Sequence, residues 1–199
     1  CADFGCEAAM GEMIFARYLN SGDRIERARL RRAANEPFFG VQIATNDVEE
    51  GIAAVRLAAE SGADFVDLNC GCPIHEATRR NLGSALLRNP RKLEALVRGI
   101  VEASSIPLSV KVRIASEGRA VNVREVVTGL REAGAAAVTI HGRTAEARYS
   151  KAADWAIIGQ VVADARADGS HVPIIGNGDI LTYYEAQQRI SASGVSGVM

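Results

Sequence analysis

Long apolar runs are missing from this 199-residue sequence. No window approaches the roughly 18 uninterrupted apolar residues of a membrane span, and no basic-then-apolar segment of the export type opens the chain. A large charge of either sign is missing too. Lys and Arg total 23 against 24 Asp and Glu, for a net charge of -1, so bulk electrostatics make no case for a nucleic-acid partner, although charge can still gather on one face. Cysteine is sparse. Cys1, Cys6, Cys70 and Cys72 lack the spacing of a secreted disulfide framework, and the single residue between Cys70 and Cys72 would strain a bridge, so free thiols are expected. The Cys-x-Cys spacing with scattered histidines also departs from the Cys-x-x-Cys pairs of zinc sites, and no metal is expected. Internal repeats, low-complexity tracts and obvious linkers are lacking. Lysine is scarce, with Lys92, Lys111 and Lys151 against twenty arginines.

What is present is alternation. Strand-like runs fall around Glu7–Met13, Phe38–Ile43, Asp64–Asn69, Pro107–Arg113, Ala136–His141, Val172–Gly176 and Val195–Met199. Helix-patterned segments separate most of them. One starts at Asn46/Asp47 with Glu49 and Glu50 behind, carries Ile52, Val55 and Ala59 on one face and stops at Gly62. A second has Asn89 as cap, Pro90 at the first helical position and a stripe of Leu93, Leu96, Val97 and Ile100. Others start at Asn122, with Val126, Val127 and Leu130, and at Asp154, with Ile157, Ile158, Val161 and Val162. Thr182 with Glu185 reads as a capping box.

Repeated strand–helix units imply a parallel sheet, open and doubly wound or closed into a barrel. The polar residues choose. One face of successive strands carries Gln42, then Asp67 and Asn69, then Ser109, Lys111 and Arg113, then Thr139, His141 and Arg143, while Val41/Ile43, Val66/Leu68, Val110/Val112 and Val138/Ile140 face the other way. A doubly wound sheet is covered by helices on both faces and reads as continuous apolar runs. Polar side chains at the mouth of a TIM-type (β/α)8 barrel fit better, because such barrels carry their sites at the C-terminal ends of the strands. About seven of eight strands are visible in a chain shorter than the roughly 250 residues of a typical barrel. With Cys1 at the start and Met199 directly after an apolar run, the chain reads as one partial catalytic barrel over 1–199, incomplete at both ends.

The chemistry gathers at those strand ends. Asp67-Leu68-Asn69-Cys70-Gly71-Cys72-Pro73 is a strand that stops in a forced turn. Cys70 shares the phase of Val66 and Leu68 and reads as buried, whereas Cys72 lies past the strand, where catalysis is expected. Lys111 sits between Val110 and Val112, on the face of Arg113, where a cation could hold an anion or an electron-rich ring; the alternative is a lysine reaching out from a sheet edge. His141 ends the fifth run before Gly142. Gly176-Asn177-Gly178-Asp179 precedes the helix capped at Thr182, an arrangement suited to phosphate. Arg17 to Arg32 is either a phosphate-backbone patch or a solvated helix face.

The Asp67–Pro73 stretch, continued by Leu82-Gly83-Ser84-Ala85-Leu86-Leu87, resembles the signature of the tRNA-dihydrouridine synthases, flavin enzymes on a TIM-type barrel. Gly11-Glu12-Met13, Phe39-Gly40-Val41-Gln42, Val110-Lys111-Val112-Arg113, Ile140-His141-Gly142-Arg143 and Gly176-Asn177-Gly178-Asp179-Ile180 recur in the same order. Tyr149-Ser150-Lys151 with Ala153-Asp154-Trp155 looks most like the eukaryotic branch that modifies a variable-loop uridine. The resemblance implies flavin-dependent reduction of a tRNA uridine to 5,6-dihydrouridine, with FMN as cofactor and NADPH or NADH as reductant. It implies that Gln42, Lys111 and His141 contact FMN, that Asn177, Gly178 and Asp179 serve its phosphate end, that Cys72 is the catalytic acid, and that Asn69 and Arg143 hold the uracil. It further implies a cytoplasmic protein, or a nuclear one if eukaryotic, with the helical tRNA-binding domain outside this chain and weak FMN and tRNA binding by the segment alone. After Pro73, Ile74-His75-Glu76-Ala77 departs from the lysines of many bacterial relatives. Two other readings stand beside this one: a flavin barrel acting on a free pyrimidine, and a flavin-free RNA-binding scaffold built on Arg17–Arg32.

Overall fold

The computed structural model describes residues 3, 5–120, 122–147 and 150–199. Cys1 and Tyr149 lie outside the described residues. Among those described, eight strands form one all-parallel sheet. Strands β1 (Ala9–Met10) and β2 (Ile14–Phe15) both run along β3 (Phe39–Ala44). Then follow β4 (Phe65–Cys70), β5 (Leu108–Ala115), β6 (Ala137–Thr144), β7 (Ile174–Asn177) and β8 (Gly197–Val198), each beside its predecessor. This order never reverses. A doubly wound sheet has a switch point where it does, so the sheet is an incomplete TIM-type barrel.

The short helices α1 (Ala16–Asn20) and α2 (Arg24–Ala28) precede β3, and α3 (Val48–Glu60) connects β3 to β4. The β4–β5 connection holds α4 (His75–Thr78), a 3-10 segment (Gly83–Arg88) and α5 (Pro90–Ala103). Helices α6 (Val123–Glu132), α7 (Trp155–Ala167) and α8 (Tyr183–Ser193) complete the set. The stripe Leu93, Leu96, Val97 and Ile100 of α5 and the stripe Val126, Val127 and Leu130 of α6 are buried in one core with Val41, Val66, Leu68, Val110, Val112, Val138 and Ile140. Transfer of that apolar face out of water is the main drive for closing helices onto the sheet.

Strand register stacks the opposite, polar positions into rows. Gln42 pairs with Asp67, and Asp67 with Ser109; Asn69 pairs with Lys111, and Lys111 with Thr139; Arg113 pairs with His141, and His141 with Asn177. Side chains one strand apart on one face therefore meet in layers, as in a barrel interior.

Four helix starts follow the sequence expectation. Asp47, Asn89 and Asp154 accept from the backbone N–H groups of Glu50, Lys92 and Ile157, and Thr182 with Glu185 forms the capping box. Three expectations need correction. Asn122 occupies the cap position of α6, but its Nδ2 donates to the Leu87 carbonyl at 3.1 Å and its side chain caps nothing. Of the run expected at Glu7–Met13 only Ala9–Met10 is strand, its ladder ending where the Gly11 N–H donates to the Gly40 carbonyl at 3.0 Å, and β2 follows beyond the expected run at Ile14–Phe15. The buried stripe of α3 is Gly51, Ala54, Val55 and Ala58; Ile52 and Ala59 lie at its margin. Small residues let α3 approach α5 so closely that a methyl group at Gly51 would overlap Ile100. In the arginine-rich stretch, Arg29 pairs with Glu12 and Glu26 and Arg32 with Asp64, while Arg17, Arg24 and Arg31 are exposed.

Helix propensity alone would make Gly51→Ala stabilising by about 1 kcal/mol, but overpacking against a fully buried isoleucine costs about 1–3 kcal/mol. We expect the substitution to lower the urea midpoint; a raised midpoint would show that the α3–α5 contact has slack.

Candidate active site

The C-terminal ends of the strands surround a cavity of about 820 Å³. Gln42 from β3, Asn69 from the end of β4, Cys72 from the turn beyond it, Lys111 from β5, His141 from β6 and Asn177 from β7 all line it. Gly178, Asp179 and Arg143 do not. The lining also includes Met10, Ile74, His75 and Arg113, which the sequence reading did not assign to a site. Among the described residues no group of three or more His, Cys, Asp or Glu is arranged to hold a metal ion, and no helix is long and apolar enough to cross a membrane.

Hydrogen bonds order the cavity wall. Asp67 Oδ1 accepts from Ser109 Oγ at 2.7 Å and Oδ2 from Gln42 Nε2 at 2.8 Å. Gln42 Oε1 in turn accepts from Asn69 Nδ2 at 2.8 Å. Asn69 Oδ1 then accepts two backbone N–H groups of the turn, Cys72 at 2.9 Å and Gly71 at 3.2 Å. The carbonyl side of Cys72 is held as well, by the Ser84 N–H at 2.9 Å. Gly83 makes that approach possible, because its φ is +60° and a Cβ there would overlap the Cys72 carbonyl oxygen. The Leu82–Leu87 motif thus clamps the thiol-bearing turn from outside while the Asn69 side chain holds it from within.

Burial sets the charges. Asp67 is fully enclosed, and loss of water pushes its carboxyl up to about 6 despite the Ser109 and Gln42 bonds and the Lys111 charge that favour ionisation. Desolvation pulls Lys111 down to about 8, with Asp67 opposing and Arg113 assisting. Its Nζ donates to Asn177 Oδ1 at 2.9 Å. His141 falls to about 4, first through desolvation and then through Arg113, Lys111 and Arg143, so its imidazole is neutral at pH 7. Burial drives Cys70 well above the ordinary thiol range, with the Asp67 charge adding to it; Cys70 is a core thiol packed among Val66 and Leu68. The described cysteines, Cys6, Cys70 and Cys72, are all free.

The site residues outside the cavity form a bracket beside it. The Arg143 guanidinium donates to Asp179 Oδ1 and to the Lys151 carbonyl, both at 2.5 Å, and approaches His141 Nε2 at 3.4 Å. Asp179 also accepts the Ala153 N–H at 2.6 Å, and these two contacts, the backbone one first, hold its carboxyl below the usual range. The Gly178 carbonyl accepts from Trp155 Nε1 at 2.9 Å. The bracket ties the loop after β6 to the loop after β7 directly behind His141. Arg113 donates from Nε to the Gly71 carbonyl at 2.8 Å and from Nη1 to the Thr144 carbonyl at 3.0 Å.

Asp67 is the group that sequence reasoning left out of the site. Its phase placed it on the polar face with Gln42 and Ser109, and a carboxylate buried at a strand centre signals a role in a network.

Comparison with known proteins gives a consistent picture. The family model "Dihydrouridine synthase (Dus)" matches residues 1–199. The tRNA-dihydrouridine(47) synthase [NAD(P)(+)] of Coprinopsis cinerea is 39% identical over 210 residues, covering 100% of this chain and 31% of that protein. The Homo sapiens tRNA-dihydrouridine(47) synthase [NAD(P)(+)]-like protein is 38% identical over 200 residues, covering 100% of this chain and 30% of its own length. The chain therefore spans about 30% of the length of these relatives. Among solved structures, histamine dehydrogenase from Rhizobium sp. 4-9 superimposes with a TM-score of 0.68 at 14% identity, over 98% of this chain and 38% of that one. The 6-hydroxypseudooxynicotine amine oxidase of Pseudomonas geniculata N1 gives 0.69 at 12% identity, over 99% and 40%. At these identities the structural likeness speaks for the fold alone.

Gly83→Ala should cost about 1–3 kcal/mol, since it combines a left-handed backbone with a blocked approach, and should change the alkylation rate of Cys72 by iodoacetamide severalfold while Cys70 stays unlabelled. Unchanged stability and rate would contradict the clamp. Stability should also respond to pH in opposite senses at two positions. The folded state holds the Asp67 proton more tightly than the ordinary value of 3.8, so this group makes stability fall as pH rises from about 4 to 6. His141 is displaced the other way from 6.5, so it makes stability rise as pH climbs from about 4 to 6.5. Relative to the parent protein, Asp67→Asn should gain stability across that window, by on the order of 1–3 kcal/mol, and His141→Gln should lose it. Denaturant melts at pH 4.5 and 7 with slopes of equal sign in both variants would refute the assignment.

Proposed function

Because the chain belongs to the dihydrouridine synthase family, we propose that its rim cavity is the flavin site of an enzyme that reduces a tRNA uridine to 5,6-dihydrouridine, with FMN as cofactor, NADPH or NADH as reductant and tRNA as partner. The observation that carries this reading is Cys72, a half-buried thiol whose backbone is bonded on both sides and which opens into the same cavity as Lys111, His141 and Gln42. The residues present fit FMN: the cavity volume is within the range of roughly 300–1,000 Å³ usual for such ligands, and it offers the cations Lys111 and Arg113, the neutral imidazole of His141 and amide groups on a largely apolar floor.

Gln42, Lys111 and His141 would hold the ring system, and Asn177 with Gly178 and Asp179 its phosphate end. Bound flavin supplies a hydride for C6 of the uracil. The protein must then place a proton on C5, and Cys72 is the donor in reach of the cavity; this is acid catalysis, in which the protonated thiol is the working form. Lys111 keeps its proton at pH 7, where its value of about 8 leaves it mostly cationic, and stabilises negative charge that gathers during reduction. His141 is neutral there and contributes hydrogen bonding without charge. Asn69, with one amide N–H beyond its Gln42 bond, would hold the uracil, and Arg143, which the resemblance also assigns to the uracil, would serve it from beside the cavity by steadying His141. The similarity to dihydrouridine(47) synthases favours a variable-loop uridine as the target.

In the full-length protein loaded with FMN, Cys72→Ala should slow oxidation of the reduced flavin by tRNA about 10²- to 10⁴-fold, whereas Cys70→Ala should leave it within severalfold. Equal slowing by the two variants would overturn the assignment, and turnover on free uracil without turnover on tRNA would favour a free-pyrimidine reductase.

A further inference from the structure

We propose that Asp67 is a positioning residue for Cys72: as an acceptor-only group at the base of the cavity, it sets the direction of the Gln42 and Asn69 amides and so holds the Gly71–Cys72 backbone that carries the thiol. Asp67 touches neither Cys72 nor the cavity and acts through three successive hydrogen bonds. Its importance for uridine reduction rests on the reading of Cys72 as proton donor; the hydrogen-bond device itself does not.

The argument is one of polarity. An ionised carboxylate donates nothing, whereas an amide side chain has a donor end and an acceptor end that occupy almost the same space. With both Asp67 oxygens accepting, Gln42 must present Nε2 to it and Oε1 to Asn69. Asn69 must then present Nδ2 to Gln42 and Oδ1 to the turn, where two N–H groups await an acceptor. Turning either amide over would set two acceptors or two donors face to face, in a wall where Gln42, Asp67 and Asn69 are all buried. Only one direction satisfies every member, and it is fixed at both ends, by the Asp67 carboxylate beneath and by the two turn N–H groups above. A protonated Asp67 can donate, which removes the lower anchor and leaves the turn N–H groups alone to hold the chain.

The groups facing Asp67 are few: Gln42 from β3, Ser109 and the Lys111 cation from β5, and the Cys70 thiol of its own strand. Lys111 keeps its charge through the range in which Asp67 titrates, and Cys70 stays protonated. His75 also lines the cavity three residues beyond Cys72, so the titration is run in a His75→Gln background, where a response of the Cys72 amide near pH 6 reports Asp67.

The test is a pH titration of the ¹⁵N-labelled His75→Gln chain from pH 4.5 to 8, following the backbone amide signals of Gly71 and Cys72. In this parent protein both signals should shift with a midpoint of about 6. In Asp67→Asn the step at about 6 should be lost, with any remaining change belonging to Lys111, which loses the Asp67 charge that raises it, and hydrogen exchange at Cys72 should be severalfold faster. Ser109→Ala removes a bond that lowers the Asp67 value, so the midpoint should move upward, and this variant carries the test if Asp67→Asn does not fold. Amide signals that ignore pH in the parent protein, or a midpoint unmoved in Ser109→Ala, would overturn the proposal. Because no turnover is measured, failure here leaves the reading of Cys72 to its own assay, and failure of that assay leaves this result standing.

Discussion

Asp67 has two oxygens and two donors to satisfy them, Ser109 Oγ on one neighbouring strand and Gln42 Nε2 on the other, and the order of the cavity wall follows from that pair of bonds. Ionisation in so enclosed a place is unfavourable, and desolvation pushes its carboxyl up to about 6 against the opposing Ser109 and Gln42 bonds and the Lys111 charge. The fold keeps the group because a carboxylate in the middle strand of three ties their register together and gives the amides above it a fixed sense. From this base the wall rises by Gln42 and Asn69 to the turn that carries Cys72, and the Ser84 N–H closes the arrangement from outside.

The cavity that results is a place where charge is expensive. Lys111 and His141 both lose proton affinity to desolvation, but with different consequences: at pH 7 the lysine remains mostly charged and the imidazole is neutral. With Arg113 also in the lining, that gives cations beside a neutral hydrogen-bonding ring, a combination suited to a cofactor that accumulates negative charge on reduction. Asn177 joins Lys111 to the last strand, accepting from its Nζ and donating from Nδ2 to the Met199 carbonyl at 2.7 Å. The Arg143–Asp179 bracket steadies the two loops behind His141 and lies away from the cavity.

The barrel was legible in the sequence because period-2 alternation separated Val66 and Leu68 from Asp67 and Asn69, and the same phase sorted Cys70 into the core and Cys72 to the mouth. Local signals were read reliably where they are self-contained, as at Asp47, Asn89, Asp154 and Thr182, whose side chains bond within three residues. Asn122 has the same chemistry, but its Nδ2 is committed to the distant Leu87 carbonyl and its Oδ1, the atom a cap would use, accepts nothing. The face of α3 was misjudged because hydrophobicity favours Ile52, whereas close packing against α5 favours Gly51 and Ala54. The pairing of Arg143 with Asp179, and of Asp67 with Gln42, joins positions on different strands and loops. Register brings them together, and no sequence period announces which polar residue on a face will meet which.

The Asn69 side-chain carbonyl accepts the Cys72 N–H, and Asp67 anchors the lower end of the hydrogen-bond chain that holds it there. Amide orientation is normally inferred from the surrounding network, but it can be observed. A scalar coupling across the hydrogen bond, from the Cys72 backbone nitrogen to the Asn69 side-chain carbonyl carbon, reports that bond alone. A measurable coupling is expected at pH 7.5, weakening as the pH is brought below 6. A Cys72 N–H that shows no coupling to Asn69 at pH 7.5 would contradict it.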